Sequence, residues 1–97
     1  MERKKLSQPE IEERLNGLDG WKAENNHLKK RFTFKNFAES LSFVNKAGEI
    51  AEKLNHHPDI TFGWGYAEIA TTTHDRDGVT DVDLTLAAKI DQIATRR

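Results

Sequence analysis

Apolar positions recur along this chain with two periods, and each change of period marks the edge of an element. Ser7-Gln8-Pro9-Glu10 reads as a capping box, with Ser7 at the N-cap and Glu10 at N3, and Leu6 and Ile11 can staple that start. Ile11, Leu15 and Leu18 carry a short stripe and Gly17 supplies a stop, which predicts a first helix of roughly ten residues. The period then falls to two. Trp21 to Glu24 and Leu28 to Phe34 flank the turn-forming pair Asn25-Asn26, so a β-hairpin is expected. Leu28, Phe32 and Phe34 share one parity; Lys30 breaks it, and its stem is expected to run to an edge.

Helical spacing returns after Asn36, a cap with Glu39 three residues on. Phe37, Leu41, Val44, Gly48 and Ala51 form one row, and Phe43, Ala47, Ile50 and Leu54 the next. Together they predict a helix lying on a sheet. Gly48 costs helix stability, which points to close backbone packing. Pro58 disfavours helical geometry at His57, so the helix should end by about His56. A strand is expected from about Tyr66 to Thr73, with a shorter one near Ile60 to Phe62 and a turn or bulge at Gly63 and Gly65. Asp75 to Gly78 is a turn. Thr80 caps a last helix with Asp83 at N3, Val79 and Leu84 as its staple, and Val82, Leu86, Ile90 and Ile93 as its stripe. The expected fold is α+β, a two-layer sandwich: an antiparallel four-stranded sheet with about three helices on one face.

Ninety-seven residues make one domain, residues 1–97. With 36% hydrophobic and 32% charged residues the core is lean, so an oligomer would help it. The net charge of −1, with both signs intermixed, gives no electrostatic case for nucleic acid or an anionic membrane. Arg3-Lys4-Lys5 and Arg96-Arg97 read as short solvated clusters. The absence of cysteine excludes disulfides, thiolate catalysis and Cys-based zinc sites. No apolar run approaches a membrane span or a signal h-region, and a cytoplasmic location is the expectation.

Three of the four histidines, His56, His57 and His74, fall in one constellation, Glu52-Lys53-Leu54-Asn55-His56-His57-Pro58 answered by Trp64 and by Thr72-Thr73-His74-Asp75. Imidazole gives or takes a proton near neutral pH, so the set suggests proton transfer. Open carbonyls at a helix C-terminus favour positive charge on His56 and His57. His74 lies where a strand runs into a turn, and Trp64 or Tyr66 could pack against a flat ring. His27, at a hairpin turn, reads as an exposed residue, and Asp83 by its N3 position as a helix cap. Neighbours on a helix point about 100° apart, so His56 and His57 would not share a metal, and no ligand stands at i+3 or i+4. No metal is expected.

These residues resemble the pterin-4a-carbinolamine dehydratases. That family's pattern is a charged residue, three spacers, His-His-Pro, an aromatic, then a His and an Asp at set spacings. Glu52, His56, His57, Pro58, Trp64, His74 and Asp83 fit it over 32 residues. The likeness extends outward from Leu28 to Asp91. It implies a two-layer α+β fold, a homodimer or homotetramer, and dehydration of 4a-hydroxytetrahydrobiopterin, or a related pterin, to the quinonoid dihydropterin, with no cofactor. It implies a functional link to an aromatic amino-acid hydroxylase, whose product that carbinolamine is.

Carried over, the catalytic set is His56, His57 and His74, with His56 and His74 exchanging protons and His57 mainly holding the pterin. Asn55, Pro58, Thr72, Thr73 and Asp75 would contact the substrate, and Glu52, Asp83 and Trp64 would stand behind them. Animal members carry tryptophan where this chain has Ile60 and arginine where it has Val82, and Trp64 stands where tyrosine is frequent. The alternative within this resemblance is a non-catalytic protein-binding or assembly protein, or a transcriptional dimerisation cofactor. Chaperone-type relatives tend to lose the histidines, which this chain retains.

Overall fold

In a computed structural model of the chain, residues 4–95 are described; Arg3, Arg96 and Arg97 lie outside them. The elements in order are α1 (Gln8–Arg14), β1 (Lys22–Glu24), β2 (His27–Thr33), α2 (Phe37–Leu54), β3 (Asp59–Gly63), β4 (Tyr66–Thr71) and α3 (Asp81–Thr95). The four strands form one antiparallel sheet in the order β1-β2-β4-β3. The helices cover one face of it, α2 packing on both α3 and the β3–β4 hairpin. The expected fold class and strand count are both found.

The start of α1 is the capping box the sequence spells. The Ser7 hydroxyl accepts the Glu10 N–H at 3.3 Å, and the Glu10 carboxylate accepts the Ser7 N–H at 2.9 Å. The Ser7 N–H first, and its hydroxyl second, hold the Glu10 carboxyl below its ordinary range. A lowered folded value means the contribution is present above the unfolded value and is lost as pH falls through the folded one. In a Glu10→Gln variant the amide shift of Ser7 should therefore lose its acid titration, read by NMR; an unchanged titration would remove Glu10 as its source. The helix itself is shorter than its stripe, seven residues, and Leu15 and Leu18 pack half-buried in the turns beyond it.

The inward parity of the sheet is apolar, with Leu28 and Phe32 of β2 and Ala67 and Ile69 of β4 all buried. Leu86 and Ile90 of α3 meet them without exposure, each such burial contributing roughly 1.5–3 kcal/mol. Lys30 shares this parity and does not run to an edge. Its stem lies between Trp21 and Phe32, with Nζ 4.7 Å from the Phe32 ring centroid, and its ammonium meets Asp91 of α3 at 3.0 Å. Asp91 also accepts the Trp21 indole N–H at 3.0 Å. The cation is tolerated on the helix side because it has a carboxylate and two aromatic faces there.

Two readings of α2 are corrected. Its buried row is Ser40, Phe43, Ala47 and Ala51. The neighbouring row is left partly open: Phe37 is 45% and Leu41 40% exposed, and Phe37 leans on Phe62 of β3. Nor does Gly48 serve close packing within the chain, since a Cβ there would meet nothing within 4 Å.

The helix ends at Leu54, before His56 as Pro58 requires, and the residue after it makes the stop. Asn55 adopts the left-handed conformation (φ 51°), which asparagine tolerates. Its N–H bonds the Glu52 carbonyl at 3.1 Å, and the His56 N–H bonds the Ala51 carbonyl at 3.0 Å. This reversal, a Schellman motif, places His56 and His57 beyond the helix rather than on it. Two of the carbonyls expected to favour charge on the imidazoles are thus already taken by N–H groups.

β3 is a full strand, joined to β4 by a two-residue turn, Trp64-Gly65, with Gly65 at φ 79°. After β4 the ladder ends at Thr71. Thr73 then pairs with Gly78 across a single 3₁₀ turn, His74–Arg76. Among the described residues no helix is long and apolar enough to cross a membrane.

Candidate active site

Three chain reversals meet at one end of the sandwich: the Schellman turn after α2, the 3₁₀ turn after β4, and the capped start of α3. The residue that joins them is Asp83, whose side chain is fully buried. Its Oδ1 lies 2.6 Å from His56 Nε2 and accepts the Thr71 hydroxyl at 2.6 Å. Its Oδ2 accepts the Thr73 hydroxyl at 2.9 Å and the Thr80 N–H at 2.9 Å. The last bond is the N3-to-N-cap contact expected of a helix start. Asp83 is thus a cap and also the partner of His56, and the two duties use different oxygens.

His56 is buried at 6% exposure and faces inward, whereas His57 points out. His57 Nε2 lies 2.7 Å from Glu52 Oε1, and both side chains are more than half exposed. Such a pair contributes about 0–1 kcal/mol, so its effect is to orient the ring. His74 opens the 3₁₀ turn, is exposed, and its ring makes no hydrogen bond among the described residues.

The three imidazoles line one cleft of about 300 Å³ together with Asn55, Thr72, Thr73 and Asp75. That is near the lower end of ligand-pocket sizes. Thr72 donates its hydroxyl to the Asn26 carbonyl at 2.6 Å, which ties the β1–β2 turn to the cleft wall. Asn55 is the left-handed residue that ends α2. Pro58 lies in an adjoining apolar groove with Gly48, Ala51 and Ile60, and His57 borders both. A larger depression of about 590 Å³ on the open face of the sheet holds no imidazole, and Arg31–Glu68 and Lys29–Glu24 pair across it.

Trp64 is not brought to the cleft within one chain. It sits 71% exposed at the β3–β4 turn, and β3 runs extended away from Pro58, roughly 20 Å over six residues. Tyr66 is also elsewhere, its ring 4.2 Å from the Arg31 guanidinium carbon. His27 is half-buried rather than exposed, with Nδ1 2.8 Å from the Asn25 carbonyl oxygen. Two residues of the site escaped the sequence reading. Thr71 was seen only as a strand residue and Thr80 only as a cap. The signal was available: a hydroxyl on the buried parity of a strand requires a partner.

The family model for pterin 4 alpha carbinolamine dehydratase matches residues 4–93. The chain belongs to this family. A relative in Rubrobacter xylanophilus is 49% identical over 91% of this chain and 83% of its own length. One in Sulfurisphaera tokodaii is 44% identical over 95% of this chain and 99% of its own. Both are named, provisionally, pterin-4-alpha-carbinolamine dehydratases. The crystal structure of a transcriptional coactivator/pterin dehydratase from Brucella melitensis superposes with a TM-score of 0.88 at 34% identity, over 93% of this chain and 98% of that one. A pterin dehydratase-like protein identified as a RuBisCO assembly factor in the alpha-carboxysome shares the fold at a TM-score of 0.64 and 25% identity, over 76% of this chain and 86% of that one.

Proposed function

We propose that this chain dehydrates a pterin-4a-carbinolamine, such as 4a-hydroxytetrahydrobiopterin, to the quinonoid dihydropterin and water. The observation that supports this most is the gathering of His56, His57 and His74 on one cleft, two of them backed by carboxylates, in a member of this family.

The reaction breaks the C4a–oxygen bond. The leaving hydroxyl takes a proton and departs as water. The neighbouring ring nitrogen gives up its proton, and its electron pair forms the new C=N bond. One positioned acid and one positioned base are therefore enough. In this reading His56 and His74, which both line the cleft, exchange those protons. His57, turned by Glu52, mainly holds the pterin, and Asn55, Thr72, Thr73 and Asp75 contact its polar edge. After each turnover the two imidazoles have exchanged protonation states, and solvent at the exposed His74 resets them. The test is dehydration of freshly generated 4a-hydroxypterin, followed by ultraviolet absorbance. A rate no higher than the spontaneous one would defeat the proposal.

The reading includes a homo-oligomer in the cytoplasm, serving an aromatic amino-acid hydroxylase. The half-open Phe37–Leu41 row, the unobstructed Gly48 and the outer edge of β3 lie on one side of the molecule and suit a second copy. A Leu41→Glu variant should run as a smaller species by light scattering while keeping its circular dichroism. An unchanged mass would place the contact elsewhere.

A further inference from the structure

We propose that Thr71 is a positioning residue: with Asp83 it fixes His56 in the Nε2–H form, so that Nδ1 is the atom presented to the substrate. The word substrate rests on the dehydratase reading; the fixed tautomer does not.

Thr71 lies on the inward parity of β4, in line with Ala67 and Ile69, and all three have no exposure. An apolar side chain would pack there without the cost of burying a hydroxyl. The hydroxyl instead reaches Asp83 Oδ1, the same oxygen that His56 uses.

Three donors, the Thr71 and Thr73 hydroxyls and the Thr80 N–H, converge on the two oxygens of Asp83, and His56 Nε2 lies 2.6 Å from Oδ1 at the fourth position. The hydroxyl chain behind it has one consistent direction. The Val82 N–H donates to Thr80 Oγ1, the Thr80 hydroxyl to Thr73 Oγ1, and the Thr73 hydroxyl to Asp83 Oδ2. Three donors to one carboxyl suit its ionised form, which can only accept, and an accepting Oδ1 places the proton between it and His56 on His56 Nε2. In the neutral ring the lone pair is then on Nδ1. That nitrogen has no protein partner among the described residues, and no buried side-chain nitrogen or oxygen there lacks one. Nδ1 therefore opens to the cleft that His56 lines.

Thr71 contributes in two ways. It pins Oδ1, the one oxygen that Thr73 and Thr80 do not hold. It also draws electron density from that oxygen, which makes the carboxylate a weaker competitor for the proton.

The test uses protein labelled with ¹⁵N-histidine, read by long-range proton–nitrogen correlation at a pH where the rings are neutral. The native His56 should show a protonated Nε2 and a bare Nδ1. Thr71→Val keeps the shape and removes the donor. It should blur that pattern toward a tautomer average and lower kcat between about 10- and 100-fold, with KM within about twofold, since a misplacement of 1 Å costs about 10²-fold. Thr71→Ser should restore both. A native His56 protonated on Nδ1 overturns the proposal. So does a Val variant with the native spectrum and turnover, or equal losses in Val and Ser variants that track melting temperature. If Thr71→Val does not fold, the native spectrum and Thr71→Ser still decide. If the native protein shows no dehydration, the spectra decide the tautomer alone, and the function proposal is what fails.

Discussion

Replacing His74 by alanine should slow dehydration by about 10²–10⁴-fold, the usual loss for a general acid or base, while the protein melts as before. The pairing of these outcomes follows from where His74 sits. Its ring is exposed and bonds to nothing described, so removal exposes no cavity and orphans no donor. Surface changes of that kind stay within about 0.5 kcal/mol. The measurement is kcat at saturating pterin beside a thermal melt. A native rate in the variant would take His74 out of the chemistry. A lowered melting temperature would show contacts that this structure does not contain.

Asp83→Asn should do the reverse and cost stability first. Whichever way the amide is turned, its NH₂ faces two groups that donate. Either His56 and Thr71 lose their acceptor, or Thr73 and the Thr80 N–H lose theirs. Leaving two buried donors without their acceptor costs about 1–3 kcal/mol each, against about 5–15 kcal/mol for a whole domain. For a chain of this size that lowers the melting temperature by more than about 10 °C. Urea unfolding with an unchanged m-value would measure it. The exposed Glu52–His57 pair is the natural control, because Glu52→Gln should change stability by about 0–1 kcal/mol. A cost for Asp83→Asn as small as that would contradict the buried geometry.

Much of the fold could be read from the chain because local patterns and tertiary packing agree. The Ser7 box and the Asn36 cap are local devices and occur where they were expected, and Val79 and Leu84 are both buried at the start of α3. What escaped depended on distant partners. Lys30 looked out of place until Asp91, 61 residues on, supplied its counter-charge. Gly48 and Phe37 looked like packing positions because periodicity counts apolar residues without saying what covers them. The end of α2 by His56 was expected from Pro58, but the left-handed Asn55 that makes the stop was not.

The site was readable to a similar degree. The histidines stood out because their residue type is rare in the chain. Asp83 drew attention as a cap, and the resemblance set it behind the histidines; that its partner is His56 needed the third dimension. Thr71 was invisible as chemistry because threonine is an ordinary strand residue. Trp64 was grouped with the site by spacing, but spacing along an extended strand carries a side chain away as easily as toward.

The two duties of Asp83 bear on how this chain could change by descent. A lineage that gave up turnover could discard His74 at no structural cost, and could discard His57 nearly as cheaply. It could not discard Asp83, because that carboxylate also begins α3 and satisfies two buried threonines. A retained aspartate in a relative therefore says little about chemistry, while a retained histidine at the exposed turn says a great deal.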